Sequence, residues 1–360
     1  MTFVRSAPEP VLPPPPRGRD PAASSTFGSA ANIVTTLVIA FFAERSLPHF
    51  LAWAFTNGVW RGDAADCRDA GACWIFLHEK APFILFGIYP EAERWRPLLV
   101  VSVLIGLTLW TMPHRHWTRA TLLTWVVGIA GSLLAMAGGV AGLTPVPPSA
   151  WGGLPVTLLL TVLSLALGFP LGLGLALARR SRLPLGRWLA TGTVEILRGV
   201  PVLTLLFIAA VMAPLLLPDG MRVETFVRAL VVFTLVSAAY LSEVLRGGLQ
   251  GVPRAQMESA QALGLRRREV LLIVVLPQAI RKVLPPLAST IIVVIKNTSL
   301  VMVVGLFDLV SAGRVVLNDP AWPMPYAETY LMIALVYFAV CHGVARYALH
   351  QERVLGEGGR

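Results

Sequence analysis

The residues able to act on something outside their own helix fall in two stretches of the second half of the chain. The first runs from Tyr240 to Pro286. Arg254 to Ala262 reads as a short helix in which Ala255, Met257, Ala260 and Ala262 stand among polar Gln256, Glu258, Ser259 and Gln261. Gly264 stands where a left-handed C′ glycine would end that helix, and Arg266, Arg267 and Arg268 follow at once. A second apolar run, Val270 to Leu276, is broken at Pro277, with Pro285 and Pro286 beyond it. Helix, hinge, basic knot and second helix make a rigid projection that could dock. The second stretch is Lys296-Asn297-Thr298-Ser299, inside the apolar run Leu287 to Leu306. A charge at that depth is costly and faces a pathway or a partner. Pairing with Glu195 or Glu243 on neighbouring runs is the plainer account of Lys296; contact with a passing solute is the sharper one. Arg198-Gly199-Val200-Pro201 interrupts another apolar run, either to line a cavity or to kink a helix for packing. Tyr240 and Glu243 close a third run, where bracing of helix on loop competes with a role beside a passage.

Other chemistries lack their residues. No GxxxxGK[ST] sequence is present, so the chain has no phosphate-binding loop of its own. Gly172-Leu173-Gly174 lacks the third glycine of a dinucleotide fingerprint and sits in an apolar run, where glycines let helices approach. The six histidines show no HExxH or comparable metal spacing, and His114 and His116 read as solvated loop residues. No nucleophile–base constellation stands out. The expectation is a chain with no catalytic residues, no metal and no cofactor.

These residues must be held by helices that cross a bilayer. Of the 360 residues, 55% are hydrophobic and 14% charged, against about 25% charged in soluble domains, and the mean hydropathy is +0.68. The fold class is therefore all-α, a polytopic transmembrane helix bundle of about eight spans. Residues 1–29, with prolines at 8, 10, 13–16 and 21, read as a disordered tail without the apolar core of a cleavable signal. Apolar runs follow at 30–55, 97–112 and 120–143, interrupted by a polar segment, 56–96. A proline-rich joint at 144–149 precedes runs at 152–178, 188–216, 225–245, 283–306 and 327–349. This divides the chain into a first membrane region, 30–143, a second, 144–350, and a tail, 351–360.

The net charge of +10 sits in short loops and not along a stripe, so nucleic acid is not expected as a partner. Arg179-Arg180-Ser181-Arg182-Leu183-Pro184-Leu185-Gly186-Arg187 holds four arginines and no acid, which places it in the cytoplasm. Alternation then puts 113–119, the long loop 246–282 and both termini inside. Segment 56–96, with five basic and six acidic residues, falls outside. Cys67 and Cys73 lie in that external loop, where a disulfide could persist; two free thiols are the equal alternative. Cys341, inside the last run, reads as a small packing residue.

Residues 152–350 resemble the membrane subunit of bacterial ABC-type importers for polar amino acids. Glu258-Ser259-Ala260, Gly264, Val274 and Leu276-Pro277 resemble the superfamily's Glu-Ala-Ala…Gly…Leu-Pro signature, with Ser259 replacing an alanine and Ala255 a glycine. Arg198-Gly199-Val200-Pro201, Ala239-Tyr240…Glu243…Arg246-Gly247-Gly248, Leu276-Pro277-Gln278-Ala279 and Lys296-Asn297-Thr298-Ser299-Leu300 resemble further blocks of the amino-acid branch, in the right order. The resemblance implies a type I permease core of five helices preceded by three extra spans. Those spans, with Gly71-Ala72-Cys73-Trp74, Tyr89-Pro90-Glu91 and Arg94-Trp95-Arg96, look like the larger permease subunit of a general L-amino-acid transporter.

It also implies partners and roles. Gln256, Glu258, Ser259, Ala260, Gly264, Leu276 and Pro277 would couple the chain to a separate ATP-binding cassette subunit, in two copies, which would hold ATP and magnesium. Glu258 would make the polar contact or cap, and Arg266–Arg268 would complement that subunit or merely anchor the loop to lipid phosphates. Glu195, Arg198, Gly199, Pro201, Tyr240, Glu243, Lys296, Asn297, Thr298 and Ser299 become candidates for the translocation pathway. A periplasmic amino-acid-binding protein and a sister permease are the other expected partners, in a cell inner membrane. The rival reading, a self-sufficient ion-coupled transporter, predicts a repeat of spans and midplane carboxylates, and neither is visible.

Overall fold

A computed structural model of the chain describes residues 30–113, 116–216, 218 and 223–357. The expected tail at 1–29, His114 and Arg115, and the last three residues of the expected tail at 351–360 lie outside the described residues.

The described chain is helical; its single β-bridge, between Val59 and Cys73, belongs to no strand. Apolar runs of bilayer length satisfy their backbone groups internally only as helices. They become α1 (Ala30–Thr56), α3 (Trp95–Thr111), α4 (Arg119–Ala137) and α5 (Gly153–Ala178), with α2 (Trp74–Phe86) between the first two. Then come α6 (Pro184–Gly199), α7 (Val202–Leu216) and α8 (Thr225–Gln250). A short helix, α9 (Arg254–Ala262), is followed by α10 (residues 267–282), α11 (Leu284–Val304), α12 (Leu309–Val316) and α13 (Tyr326–Glu357). Local signals set several starts. The Thr118 side chain accepts from the Thr121 N–H to cap α4, and Asp308 accepts from the N–H groups of Val310 and Ser311 to cap α12.

Six of these helices are long and apolar enough to cross a membrane. The run expected as one span at 188–216 is instead α6 and α7, bent by 99°. Val200 and Pro201 are both extended (φ −89°, ψ 131° and φ −55°, ψ 136°). A residue before proline is pushed out of the helical region, and proline supplies no N–H, so the turn falls there. The run at 97–112 becomes the 17-residue helix α3, about 25 Å long and at the short limit for a crossing. Glu44, Arg45 and Pro48 do not interrupt α1, which continues into a π-helical turn at Ala52–Thr56. Nothing in its α-helical part is buried.

Packing divides into three apolar clusters. The largest joins α3, α4, α5, α7, α8 and α11 around Leu159, Leu160, Phe233 and Val301. Its axis is the α5–α8 pair, drawn together by small residues: a Cβ on Gly172 would lie 2.7 Å from the Ala238 carbonyl oxygen. Gly174 meets nothing within 4 Å, so only the first glycine of that pair brings helices together. The second cluster ties the ends of α5 and α8 to α9 and α10. The third fastens segment 57–86 to α12 and α13 through Phe76, Leu309, Trp322 and Ile333.

Segment 56–96, expected as a polar loop, thus contains a helix. Its clasps are specific. Cys67 and Cys73 are disulfide-bonded, and the Cys73 N–H donates to the buried Glu328 carboxylate at 2.6 Å. Lys80 Nζ lies 2.8 Å from Asp319 and 3.0 Å from Glu79. The hydrogen bond to Asp319 holds the Lys80 pKa above its ordinary value, and the same bond holds the Asp319 carboxyl below its own.

Arg96 pins the start of α3 to the joint that follows α4. Its guanidinium is fully buried, lies 2.9 Å from Glu93, and donates to both the carbonyl and the hydroxyl of Thr144 at 2.7 and 2.8 Å. The Thr144 hydroxyl in turn donates to Glu93 at 2.7 Å. Arg96→Ala is expected to lower stability by about 3 kcal/mol, the low end for a broken buried pair because Glu93 keeps some solvent. Arg96→Lys should recover little of it, since an ammonium cannot reproduce the planar fork. Thermal unfolding in detergent micelles measures both.

Candidate functional site

The projection foreseen at 254–286 is built around α9 and α10. After α9 ends, Gly264 adopts φ +84°. The Leu265 N–H reaches back to the Ala260 carbonyl at 3.3 Å and the Gly264 N–H to Gln261 at 2.9 Å. These are the paired bonds of a Schellman motif, with apolar Leu265 folded toward the helix it terminates. Any residue with a Cβ would be strained at Gly264. Met257, Ala260 and Leu265 join the cluster that includes Leu245, Leu249 and Val252; within it α9 packs on the Val270–Val275 turn of α10, and residues 276–282 of α10 pack on α8. Gln256, Glu258 and Ser259 point to solvent, as does Leu263, which is 84% exposed.

Two details differ from expectation. The capping role considered for Glu258 belongs to Glu269, whose carboxylate accepts from the Arg266 N–H at 2.7 Å and starts α10. Glu258 has no polar partner among the described residues. Pro277 does not break the apolar run. Residues Val270–Val275 form a π-helical turn, and Leu276–Lys282 continues from it, so α10 bends its hydrogen bonding around the proline instead of stopping. Gln278 Nε2 donates to the Val274 carbonyl at 3.0 Å. Lys282 Nζ donates to the Gly251 carbonyl at 2.5 Å, returning the end of α10 to the end of α8.

Next to this projection lies an ionic cluster. Glu243, on α8, takes Arg179 Nη1 at 2.6 Å from the end of α5 and Arg198 Nη1 at 3.4 Å from α6. Arg246 from its own helix closes on the other carboxylate oxygen. Arg180 donates to the Leu249 carbonyl at 3.1 Å. The Arg198 guanidinium also stands 5.7 Å over the Tyr240 ring, a cation–π distance.

Tyr240 opens onto a cavity of ≈150 Å³ between α8 and α11, lined also by Ser237, Ser289, Thr290 and Asn297 on a floor of Phe233, Val236, Val293 and Val294. The Ser237 hydroxyl is buried without a partner. The volume is below the ~300 Å³ at which ordinary ligand pockets begin, and the polar groups that line it are hydroxyls and one amide.

The candidates for a pathway therefore separate. Tyr240 and Asn297 line the cavity; Arg198 and Glu243 meet beside it; Gly199 is the last residue of α6, and Pro201, with Val200, makes the bend. Lys296 and Glu195 are exposed and form no ion pair among the described residues, so the proposed pairing of Lys296 with Glu195 or Glu243 does not occur: Glu243 is already occupied by arginines. Thr298 is buried and bonds back to the Ile295 carbonyl at 2.7 Å, and Ser299 to Lys296 at 2.8 Å, so both hydroxyls serve their own helix. Ser237, Ser289 and Thr290 escaped notice because isolated hydroxyls in apolar runs carry no motif. Arg179 was legible only as loop charge.

Comparison with known proteins covers both membrane regions. The family described as binding-protein-dependent transport system inner membrane component matches residues 168–354. The inner membrane amino-acid ABC transporter permease protein YhdY of Escherichia coli (strain K12) is 38% identical over 343 residues, spanning 92% of this chain and 91% of that protein. The glutamate/glutamine/aspartate/asparagine transport system permease protein BztC of Rhodobacter capsulatus is 29% identical over 401 residues, with coverages of 92% and 91%. A solved structure described as an amino acid ABC transporter with histidines superposes with a TM-score of 0.50 at 30% identity, over 56% of this chain and 91% of that one. The first membrane region is thus shared with the two long relatives, while the solved structure covers little more than half of the chain.

Proposed function

The chain belongs to the family of binding-protein-dependent transport system inner membrane components, and from that premise we infer how its lever and cavity divide the work of import. It is a multi-pass inner-membrane permease subunit of an amino-acid ABC importer, not a self-sufficient ion-coupled transporter. Permeases of this family act with an ATP-binding subunit and a binding protein.

We propose that α9 is the contact with the ATP-binding subunit. Its polar face, Gln256, Glu258 and Ser259, is unengaged among the described residues, while its apolar face is fixed to α10, which packs in turn on α8. That combination of a free face on a rigid mount carries the reading, because a force applied at Glu258 is passed through α10 to the end of α8. There it reaches Glu243 and, through Arg198, the bend at 200–201. Two ATP-binding subunits would hold ATP and magnesium, and the loop 246–282 and both termini would face the cytoplasm. The ≈150 Å³ cavity would form one wall of the passage for a polar L-amino acid. A sister permease would supply the facing wall, and segment 57–96 would face the periplasmic binding protein. Reconstitution tests this. Uptake of a polar amino acid into proteoliposomes should require the ATP-binding subunit and ATP; uptake by this chain alone, driven by an ion gradient, would overturn it.

A further inference from the structure

The helix that opens the fifth apolar run does not behave as a span. α6 meets α7 at 99°, and its side chains sort into three stripes. Ala190 and Val194 are buried against protein. Leu185, Trp188, Leu189 and Ile196 are more than half exposed on the opposite side, with Trp188 at 72%. Arg187, Thr191, Glu195 and Arg198 form a polar stripe between them, at i, i+4, i+8 and i+11.

This pattern excludes two of the three places the helix could lie. In hydrocarbon, Arg187 and Glu195 would lose their water without gaining a partner among the described residues. In water, four large apolar side chains would stand exposed in a line. The boundary between the two satisfies both stripes, and a tryptophan is at home there. The approach to α6 is strongly basic. Of its four arginines, Arg179 is engaged by Glu243 and Arg180 by the Leu249 carbonyl. Arg182 and Arg187 are exposed and have no acidic or carbonyl partner among the described residues. Headgroup level is where phosphates are concentrated.

We propose that α6 lies in the plane of the bilayer surface and that Arg182 and Arg187 hold the phosphates of anionic phospholipids. The proposal rests on the inner-membrane reading, not on transport itself. The same helix carries Arg198 at its far end, against Glu243 and Tyr240, and Tyr240 lines the cavity.

The test uses the full chain in detergent with equal phosphatidylglycerol and phosphatidylcholine, and native mass spectrometry to count bound lipid. The wild type should retain phosphatidylglycerol in preference. Arg182→Gln/Arg187→Gln should weaken that retention by roughly thirtyfold, about fivefold for each surface arginine. Arg182→Lys/Arg187→Lys should restore most of it, which also shows that the glutamine variant's loss is one of charge. Equal retention of the two lipids, an unchanged glutamine variant, or complete displacement of lipid by inorganic phosphate would overturn the proposal. So would efficient oxidative cross-linking of a Trp188→Cys variant into a covalent dimer in membranes, because the apolar stripe would then be a subunit interface. None of these measurements depends on uptake, so a failed importer reading leaves them interpretable.

Discussion

Glu243→Gln is expected to cut ATP-driven uptake at least tenfold while leaving the chain in the membrane. One carboxylate is the meeting point of three helices: Arg179 closes α5, Arg198 closes α6, and Arg246 belongs to α8. With the charge removed, three guanidiniums converge on a neutral amide and repel one another. Losing one partner of a fully buried pair costs about 3–5 kcal/mol, but Glu243 retains 26% of its side-chain exposure and Arg198 40%, so about 2 kcal/mol is the better expectation. That leaves a folded protein whose three helix ends are no longer tied. The thermal midpoint in detergent should fall by a few degrees, whereas uptake into proteoliposomes should fall at least tenfold. Arg198→Gln should be milder, since its contact of 3.4 Å is the loosest of the three. Native uptake by Glu243→Gln would remove the cluster from the transport cycle.

Much of this architecture was readable because a bilayer allows few solutions. An apolar run of about twenty residues has to be a helix, and α4, α5, α8, α11 and α13 follow their runs closely. Gly264 was readable for the same kind of reason: its left-handed φ has few occupants other than glycine. What the sequence could not supply was distance between helices. Lys296 looked like the partner of a carboxylate because both were charges in apolar surroundings, yet Glu243 found Arg179, 64 positions away, and Arg198. Proline was read correctly at 201, where the chain turns, and incorrectly at 277, where the π-helical turn at Val270–Val275 absorbs it. Local sequence fixes that a proline removes a hydrogen bond; neighbouring packing decides whether the helix bends, bulges or stops. Helix α2 was hidden because Lys80 and Pro82 dilute its apolar pattern, and its burial comes from α12 and α13, more than two hundred residues later.

The second large effect is expected at Glu258, and its signature is a separation of two activities. Glu258 is exposed and has no partner among the described residues, so Glu258→Lys should change the permease's own stability by no more than about 0.5 kcal/mol. At an interface, however, a reversed charge faces whatever the carboxylate attracted, and such juxtapositions cost several kcal/mol. Reconstituted with the ATP-binding subunit, the variant should insert normally and lose uptake while hydrolysis continues at a basal, substrate-independent rate. Gly264→Val should lose both stability and uptake, because a β-branched residue at φ +84° strains the turn that fixes α9 on α10. The contrast discriminates. If α9 is the lever, Glu258→Lys lowers the number of amino acids moved per ATP with the thermal midpoint unchanged. An unaltered ratio in Glu258→Lys, measured by parallel uptake and phosphate-release assays, would mean that force enters the permease somewhere other than α9.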